Sequence, residues 1–160
     1  MVTPLEPRQF FNGLWSGKGE LLFHRPLGWI RRPERINFVA QPSWLSHKVW
    51  LVREKYEFSS GKVLARTMFV EIVSADRLHV TAEDMPSGAS VVLQERGFRF
   101  EPYYILSSSG GMKWRLKCYD ENLVDEHGVI HDTLRMFFSG FHVATMKLAV
   151  TVDRSESQPQ

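Results

Sequence analysis

Apolar and polar residues alternate with a period of two along most of this chain, and short polar or glycine-containing turns separate the alternating runs. This period is typical of β-strands that bury one face. No helical period of useful length occurs after residue 12. The pattern predicts ten strands, at residues 15–23, 35–40, 43–58, 62–73, 77–82, 89–96, 98–106, 113–120, 129–138 and 141–153.

Ten strands with short connections predict an all-β fold, a single antiparallel up-and-down β-barrel. A flat sheet of this size would expose two edges and a whole apolar face. A barrel of ten strands is wider than side chains readily fill, so we expect an internal cavity; a two-sheet sandwich with a filled interior is the alternative. The predicted parts are an N-terminal helical turn or cap (1–12), the barrel (13–153) and a disordered polar tail (154–160).

One hairpin is predicted residue by residue, because two alternating runs flank Ser59-Ser60-Gly61. A three-residue loop that ends in Gly suits a hairpin whose glycine is left-handed. The register then pairs Phe58 with Lys62, Tyr56 with Leu64, Glu54 with Arg66, Val52 with Met68 and Trp50 with Val70. One face of this hairpin is therefore apolar except for a single charged pair, Glu54 and Arg66.

Two groups of polar residues are candidates for chemistry. Arg66, oriented by Glu54, could anchor a ligand carboxylate or carbonyl; alternatively the two form a structural buried pair that ties two strands. A second group comprises Asp84, Asp120, Asp132 and Arg135. Carboxylates in an apolar cavity have raised pKa values and could act as acids or bases, whereas aspartates at strand ends commonly cap turns.

Composition narrows the classes of partner. The chain of 160 residues has 20 basic and 18 acidic residues, a net charge of +2, which indicates neither nucleic acid nor an anionic membrane as a partner. No apolar run approaches the roughly 20 residues of a membrane helix, so we expect no membrane insertion. The N-terminus does not look like a signal peptide, which predicts a cytoplasmic protein.

Neither the cysteine nor the histidines of the sequence indicate a metal site or a catalytic nucleophile. Cys118 is the only cysteine, so an internal disulfide is excluded, and its setting predicts a small core residue. The histidines lack metal-ligand spacing; they are His24, His47, His79, His127, His131 and His142. We predict no cofactor and no metal, with haem as the cofactor to test.

Gly13-Leu14-Trp15, which opens the first strand after a short turn, resembles the calycins, the superfamily of lipocalins and fatty-acid-binding proteins. The resemblance implies that Trp15 packs across a closed barrel end. The chain is similar also to a bacterial lipocalin-like family of unknown function. The similar motifs are Phe10-Phe11-Asn12-Gly13 with Gly17-x-Gly19, Glu54-x-Tyr56-x-Phe58, Arg66-x-Met68, Ala82-Glu83-Asp84, Trp114-Arg115-Leu116 with Asp120, and Asp132, Met136 and Gly140-Phe141. Met68 and Asp132 depart from that pattern, where an aromatic residue and Asn are usual.

Two further calycin groups share parts of the pattern. Gly13-x-Trp15-x-Gly17-x-Gly19 is similar to the opening of nitrobindin-like haem barrels, but His142 lies too early in the last strand to correspond to their haem ligand. The bilin lyases of cyanobacteria have a similar layout, including Glu95-Arg96-Gly97, without the rest of their pattern here.

These observations favour a binding protein that holds a small apolar or amphipathic molecule inside the barrel without chemistry. The predicted cavity residues are Glu54, Arg66, Tyr56, Trp50, Met68, Trp114, Asp120 and Tyr104. The alternatives are an enzyme that uses Glu54 or Asp120 as acid or base, and a filled barrel that binds a protein partner through an apolar patch around Trp29, Trp44 and Leu45. A monomer or homodimer is expected.

Overall fold

The computed structural model describes residues 6–109 and 111–154, and the interpretation of 155–160 as a disordered tail lies outside them. Within these residues no helix is long and apolar enough to cross a membrane. The described elements are a helix α1 (Pro7–Phe10), a 3₁₀ turn (Leu27–Trp29) and the strands β1 (Leu14–Phe23), β2 (Glu34–Trp44), β3 (Val49–Phe58), β4 (Val63–Ser74), β5 (Arg77–Ala82), β6 (Met85–Gln94), β7 (Gly97–Phe100), β8 (Tyr103–Ser109), β9 (Met112–Val124), β10 (Ile130–Phe138) and β11 (Phe141–Asp153).

The strands close into one antiparallel barrel. Except for β7 and β8, strands that follow each other along the chain pair, and β11 pairs with both β10 and β1, which closes the sheet. Strands β7 and β8 both pair with β9, so they share one position and the barrel has ten. The predicted ten-stranded all-β barrel is confirmed.

The interruption between β7 and β8 corrects the prediction of one strand over 98–106. Pro102 has no N–H to donate to the ladder, and the chain leaves the strand at Glu101 and Pro102. The alternation of faces shifts by one residue across this break. Phe98 is buried before it and Tyr103, an odd-numbered position, is buried after it.

Two other predicted boundaries are wrong. Residues 43–58 form two strands and not one, because the chain turns at 45–48, where the Leu45 N–H donates to the Val49 carbonyl at 2.9 Å. Residues 85–88 belong to β6 and not to a turn. Pro86 and Gly88 lie there beside an irregularity in the β5–β6 pairing, and a bulge accommodates such residues inside a strand.

The hairpin of β3 and β4 has the predicted register. Glu54 lies opposite Arg66, and Phe58 donates its N–H to the Lys62 carbonyl at 2.9 Å. Gly61 has φ +90°, the left-handed conformation that the Ser-Ser-Gly turn predicts. Turn chemistry and alternation together were therefore sufficient to predict this part of the barrel.

The two ends of the barrel differ. At the end that we call the closed end, α1 lies across the interior, and the Trp15 Nε1–H donates to the Phe10 carbonyl at 2.8 Å. Phe11 stacks on Trp15 and contacts Trp50. The opposite end, which we call the open end, carries the connections at residues 24–33, 59–62, 83–84, 111 and 139–140. Trp29 lies at the open end and Trp44 at the closed end, so the single patch predicted around them is wrong.

Candidate functional site

A cavity of about 90 Å³ lies inside the barrel. An engineered apolar cavity of about 150 Å³ binds benzene, so this cavity has room for a few waters or one compact molecule. Its walls are mainly aromatic and aliphatic, including the flexible side chains of Met68 and Met146. The polar residues among its lining are Glu54, Tyr56, Arg66, Asp120, Asn122 and Asp132.

Arg66 stands between two carboxylates. Its Nε donates to Asp84 Oδ1 at 3.0 Å, and its Nη1 lies 3.8 Å from Glu54 Oε2. The Tyr56 hydroxyl donates to the same Glu54 oxygen at 3.2 Å. Asp84 is thus the closer partner of Arg66, although the register places Glu54 directly opposite on the neighbouring strand.

A second group of polar side chains surrounds Asp120 on β9. The Tyr103 hydroxyl donates to Asp120 Oδ2 at 3.1 Å, and the Asn122 amide donates to Oδ1 at 2.8 Å. Asp132 on β10 lies opposite Asn122 in the strand pairing, next to Asp120, and the two carboxyl groups interact. Asp132 Oδ1 is buried and accepts no hydrogen bond from the described residues.

Burial raises the pKa of Glu54 from 4.5 to about 7, against the opposing effects of Arg66 and the Tyr56 hydroxyl. Burial also favours a neutral Arg66, but the charges of Glu54 and Asp84 outweigh it and raise the pKa of the guanidinium. Glu54 therefore changes protonation near neutral pH beside a permanently charged arginine.

The two buried aspartates compete for one proton. Burial raises the pKa of Asp120 from 3.8 to about 6, although hydrogen bonds from Asp132, Tyr103 and Asn122 favour its charged form. Burial, and then the charge of Asp120, raise the pKa of Asp132 well above 3.8. Asp120 accepts hydrogen bonds from Tyr103 and Asn122, which favour its charged form, whereas Asp132 Oδ1 accepts none, so Asp132 is the aspartate that holds the proton more tightly.

Two phenols and a thiol border these carboxyl groups. Burial raises the pKa values of Tyr56 and Tyr103, so both phenols stay protonated as hydrogen-bond donors. Burial also raises the pKa of Cys118 to about 12. A thiol in this state is a poor nucleophile, and Cys118 is packed within the core.

The structure brings together five of the eight residues that the sequence indicated: Glu54, Tyr56, Arg66, Met68 and Asp120 line the cavity. Trp50 is fully buried at the closed end, and Trp114 packs against Phe138. Tyr104 does not face the interior; the Arg115 guanidinium lies 4.0 Å above its ring. The break at Pro102 reverses the face, so Tyr103 takes the interior position expected of Tyr104.

Sequence reasoning missed Tyr103 and Asn122 as members of the site. Asn122 continues the alternation of Cys118 and Asp120 along β9, so the pattern contained the signal. Tyr103 gave no such signal, because its face depends on the strand break.

Two histidines far apart in the sequence also meet in the fold. His24 Nε2 and His142 Nε2 each lie 2.8 Å from the hydroxyl of Thr145. Burial, and then the nearby His24, lower the pKa of His142. Over the described ranges no three His, Cys, Asp or Glu side chains are grouped as metal ligands.

Comparisons with known proteins identify the fold. No protein-family model matches the sequence, and a search of curated proteins finds no match. Among solved structures, the S-type phycobiliprotein lyase CPES from Guillardia theta superposes with a TM-score of 0.64 over 95% of each chain, at 10% sequence identity. At this identity the likeness shows the fold alone. It confirms the calycin-like barrel that the sequence resembles, whereas the likeness to one bacterial family stays a prediction.

Proposed function

We propose that this protein binds a small amphipathic molecule inside the barrel, with a hydrogen-bond-donating end at the aspartates. The observation that carries this proposal is Asp132 Oδ1, a buried oxygen without a partner on a residue that lines the cavity. An unsatisfied buried acceptor costs roughly 1–3 kcal/mol. A hydroxyl, amide N–H or ammonium group of a ligand would remove that cost.

The charges of the site favour a donor over an anion. Arg66 is already engaged by Asp84 and Glu54, and Asp120 and Asp132 add two further carboxyl groups. A ligand carboxylate would lie among these acids, and the described lining of the cavity offers it no second cation besides Arg66. The contacts therefore argue against Arg66 as an anchor for a ligand carboxylate.

The size of the cavity limits the ligand. About 90 Å³ accepts a compact molecule without rearrangement. A fatty acid, a haem or a bilin is larger, so its binding would require Met68, Leu134 and Met146 to move aside. Methionine side chains adapt readily to such changes. A bilin belongs among the probes, since the structural neighbour is a phycobiliprotein lyase.

Native mass spectrometry of freshly purified protein tests the proposal by searching for a retained molecule. Thermal shift with small amines, phenols and amides, and with fatty acids, haem and a bilin, extends the search. A ligand at a hundred times its Kd stabilises the folded state by about 2.7 kcal/mol. Asp132→Leu should abolish that stabilisation, and Asp76→Asn, at an exposed turn, should preserve it. Absence of any retained molecule and of any shift would contradict the proposal.

A second candidate function is acid–base catalysis on such a ligand. Glu54 with a pKa of about 7 and Asp120 with a pKa of about 6 are suited to proton transfer near neutral pH. In that case Glu54→Gln or Asp120→Asn should abolish turnover of a bound ligand and leave its affinity nearly unchanged. Loss of affinity together with turnover would restrict these residues to binding.

A further inference from the structure

The open end of the barrel presents large apolar side chains at its tips. Trp29 is 71% exposed and Ile30 82% exposed in the connection between β1 and β2. Phe141, 69% exposed, directly follows the β10–β11 turn, and Met112 and Val63 hold similar positions after two other turns. Four of the five connections at this end therefore carry an exposed apolar residue at the rim.

Basic residues surround these tips. The β1–β2 connection contributes Arg25, Arg31 and Arg32, and the β3–β4 turn contributes Lys62. Arg32 and Lys62 have no ion-pair partner among the described carboxylates. Of the acids in these connections, Asp84 is paired with Arg66, which leaves Glu83.

The turns of the closed end have the opposite charge, although Trp44, Leu45 and Val73 are exposed apolar residues at that end. Its turns carry the acids Asp76, Glu95, Asp125 and Glu126 against the bases Lys48 and Arg96. The chain's small net charge thus hides a separation of charge along the barrel axis. Such a separation orients the open end toward a negative surface.

An open recess of about 650 Å³ lies between the tips. Its lining includes Arg31, Arg32 and Lys62, the hydroxyl-bearing Ser59 and Ser108 from different parts of the rim, and one carboxylate, Glu34. The exposed apolar residues of this end belong to four different strand connections. A fluid lipid interface accepts separate protrusions, whereas a folded protein partner would need a matching shape.

We propose that the open end docks on the surface of an anionic membrane. Trp29, Ile30 and Phe141 enter the headgroup region, where tryptophan and other amphipathic anchors are favoured. Arg32 and Lys62 contact anionic headgroups, which attract basic residues near the surface. This is peripheral binding, and it does not depend on whether the cavity holds a ligand.

Co-sedimentation with lipid vesicles tests this docking with the full chain. We expect binding to vesicles of phosphatidylcholine mixed with phosphatidylglycerol, little binding to phosphatidylcholine alone, and weaker binding as salt is raised. Arg32→Glu with Lys62→Glu should weaken binding roughly tenfold or more. The double substitution Trp29→Ser with Ile30→Ser should also weaken binding to the vesicles, although it leaves the charge of the open end unchanged.

Matched controls lie at the closed end. Lys48→Glu and Leu45→Ser change an exposed base and an exposed apolar residue there, and both should bind like the unmodified protein. All of these side chains are exposed, and circular dichroism melts check that every variant folds.

Three outcomes would overturn the proposal. The first is the absence of binding to either vesicle. The second is an equal loss of binding in the closed-end controls. The third is self-association in analytical ultracentrifugation that Trp29→Ser with Ile30→Ser abolishes, because a second copy of the chain would then cover this end.

Discussion

Glu54 and Arg66 show how far a strand register specifies a side-chain contact. The register places the two residues opposite each other, yet the Arg66 Nε bonds Asp84, which belongs to the β5–β6 turn. The pair that the hairpin predicts is therefore part of a larger arrangement of one cation and two acids. The same arrangement can stabilise the fold and take part in binding a ligand.

Replacing Arg66 tests the structural role. Arg66→Met leaves the carboxyl groups of Glu54 and Asp84 without their cation, and removal of one partner from a buried ion pair costs about 3–5 kcal/mol. We expect a decrease of this size in the free energy of unfolding, measured by urea denaturation at neutral pH. Arg53→Met, on the exposed face of the neighbouring strand β3, should stay within about 0.5 kcal/mol. Equal urea midpoints for the two variants would contradict a buried ion pair.

The raised pKa of Glu54 predicts how stability varies with pH. The folded barrel holds this proton up to about pH 7, whereas the unfolded chain releases it near 4.5. The folded state therefore binds more protons between these values, and the free energy of unfolding falls as pH rises through this window, by about 3 kcal/mol for this group. Asp120 acts in the same direction from 3.8 to about 6.

The comparison of Glu54→Gln with the unmodified protein isolates this effect, because His142, whose pKa is lowered, changes stability in the opposite direction. The variant should gain relative stability as pH rises from 4.5 to 7, in denaturation curves recorded across that range. Glu57→Gln, at an exposed position on β3, should follow the unmodified protein. Parallel curves for Glu54→Gln and the unmodified protein would show that Glu54 has an ordinary pKa.

At the scale of elements, the glycines of β1 allow this strand to approach β11 closely where the barrel closes. A Cβ atom at Gly19 would overlap the Lys147 carbonyl oxygen, and one at Gly17 would lie 2.5 Å from the Ala149 carbonyl oxygen. Both carbonyls belong to β11, the strand that completes the barrel. The spacing of glycines in the first strand, which predicts close backbone approach, is explained by this contact.

Gly19→Ala should therefore destabilise the barrel. The added methyl group forces β1 and β11 apart, and overpacking of this kind costs about 1–3 kcal/mol. Thermal or urea denaturation measures the loss, and Lys18→Ala, on the exposed face of the same strand, is the matched control. If the two variants were equally stable, the close approach of β1 and β11 would not limit the fold.

At the scale of the whole molecule, the closed barrel has a nearly filled interior and two ends whose turns differ in charge. The interior retains about 90 Å³, much less than the expectation of a wide ten-stranded cavity, because aromatic side chains and α1 occupy most of it. This small volume is the observation that favours the filled-barrel alternative. The charge separation and the open recess belong to the assembled barrel, since no single strand connection contributes all of the residues.

The sequence by itself determined the all-β class, most strand positions and the register of the β3–β4 hairpin. These features depend on local alternation and turn chemistry, which neighbouring residues express directly. It also indicated five residues that line the cavity, because a register assigns a face to every residue in a strand.

Only the tertiary structure decided which side chains meet across the barrel. Asp132 meets Asp120 because the register of the β9–β10 hairpin places it opposite Asn122, and Arg66 bonds Asp84 because a distant turn folds back on it. A proline without an N–H reversed the faces and brought Tyr103, not Tyr104, into the site. Likewise, a net charge of +2 does not say where the charges lie along the barrel axis. Folding placed an excess of bases in the connections of one end and an excess of acids in the turns of the other.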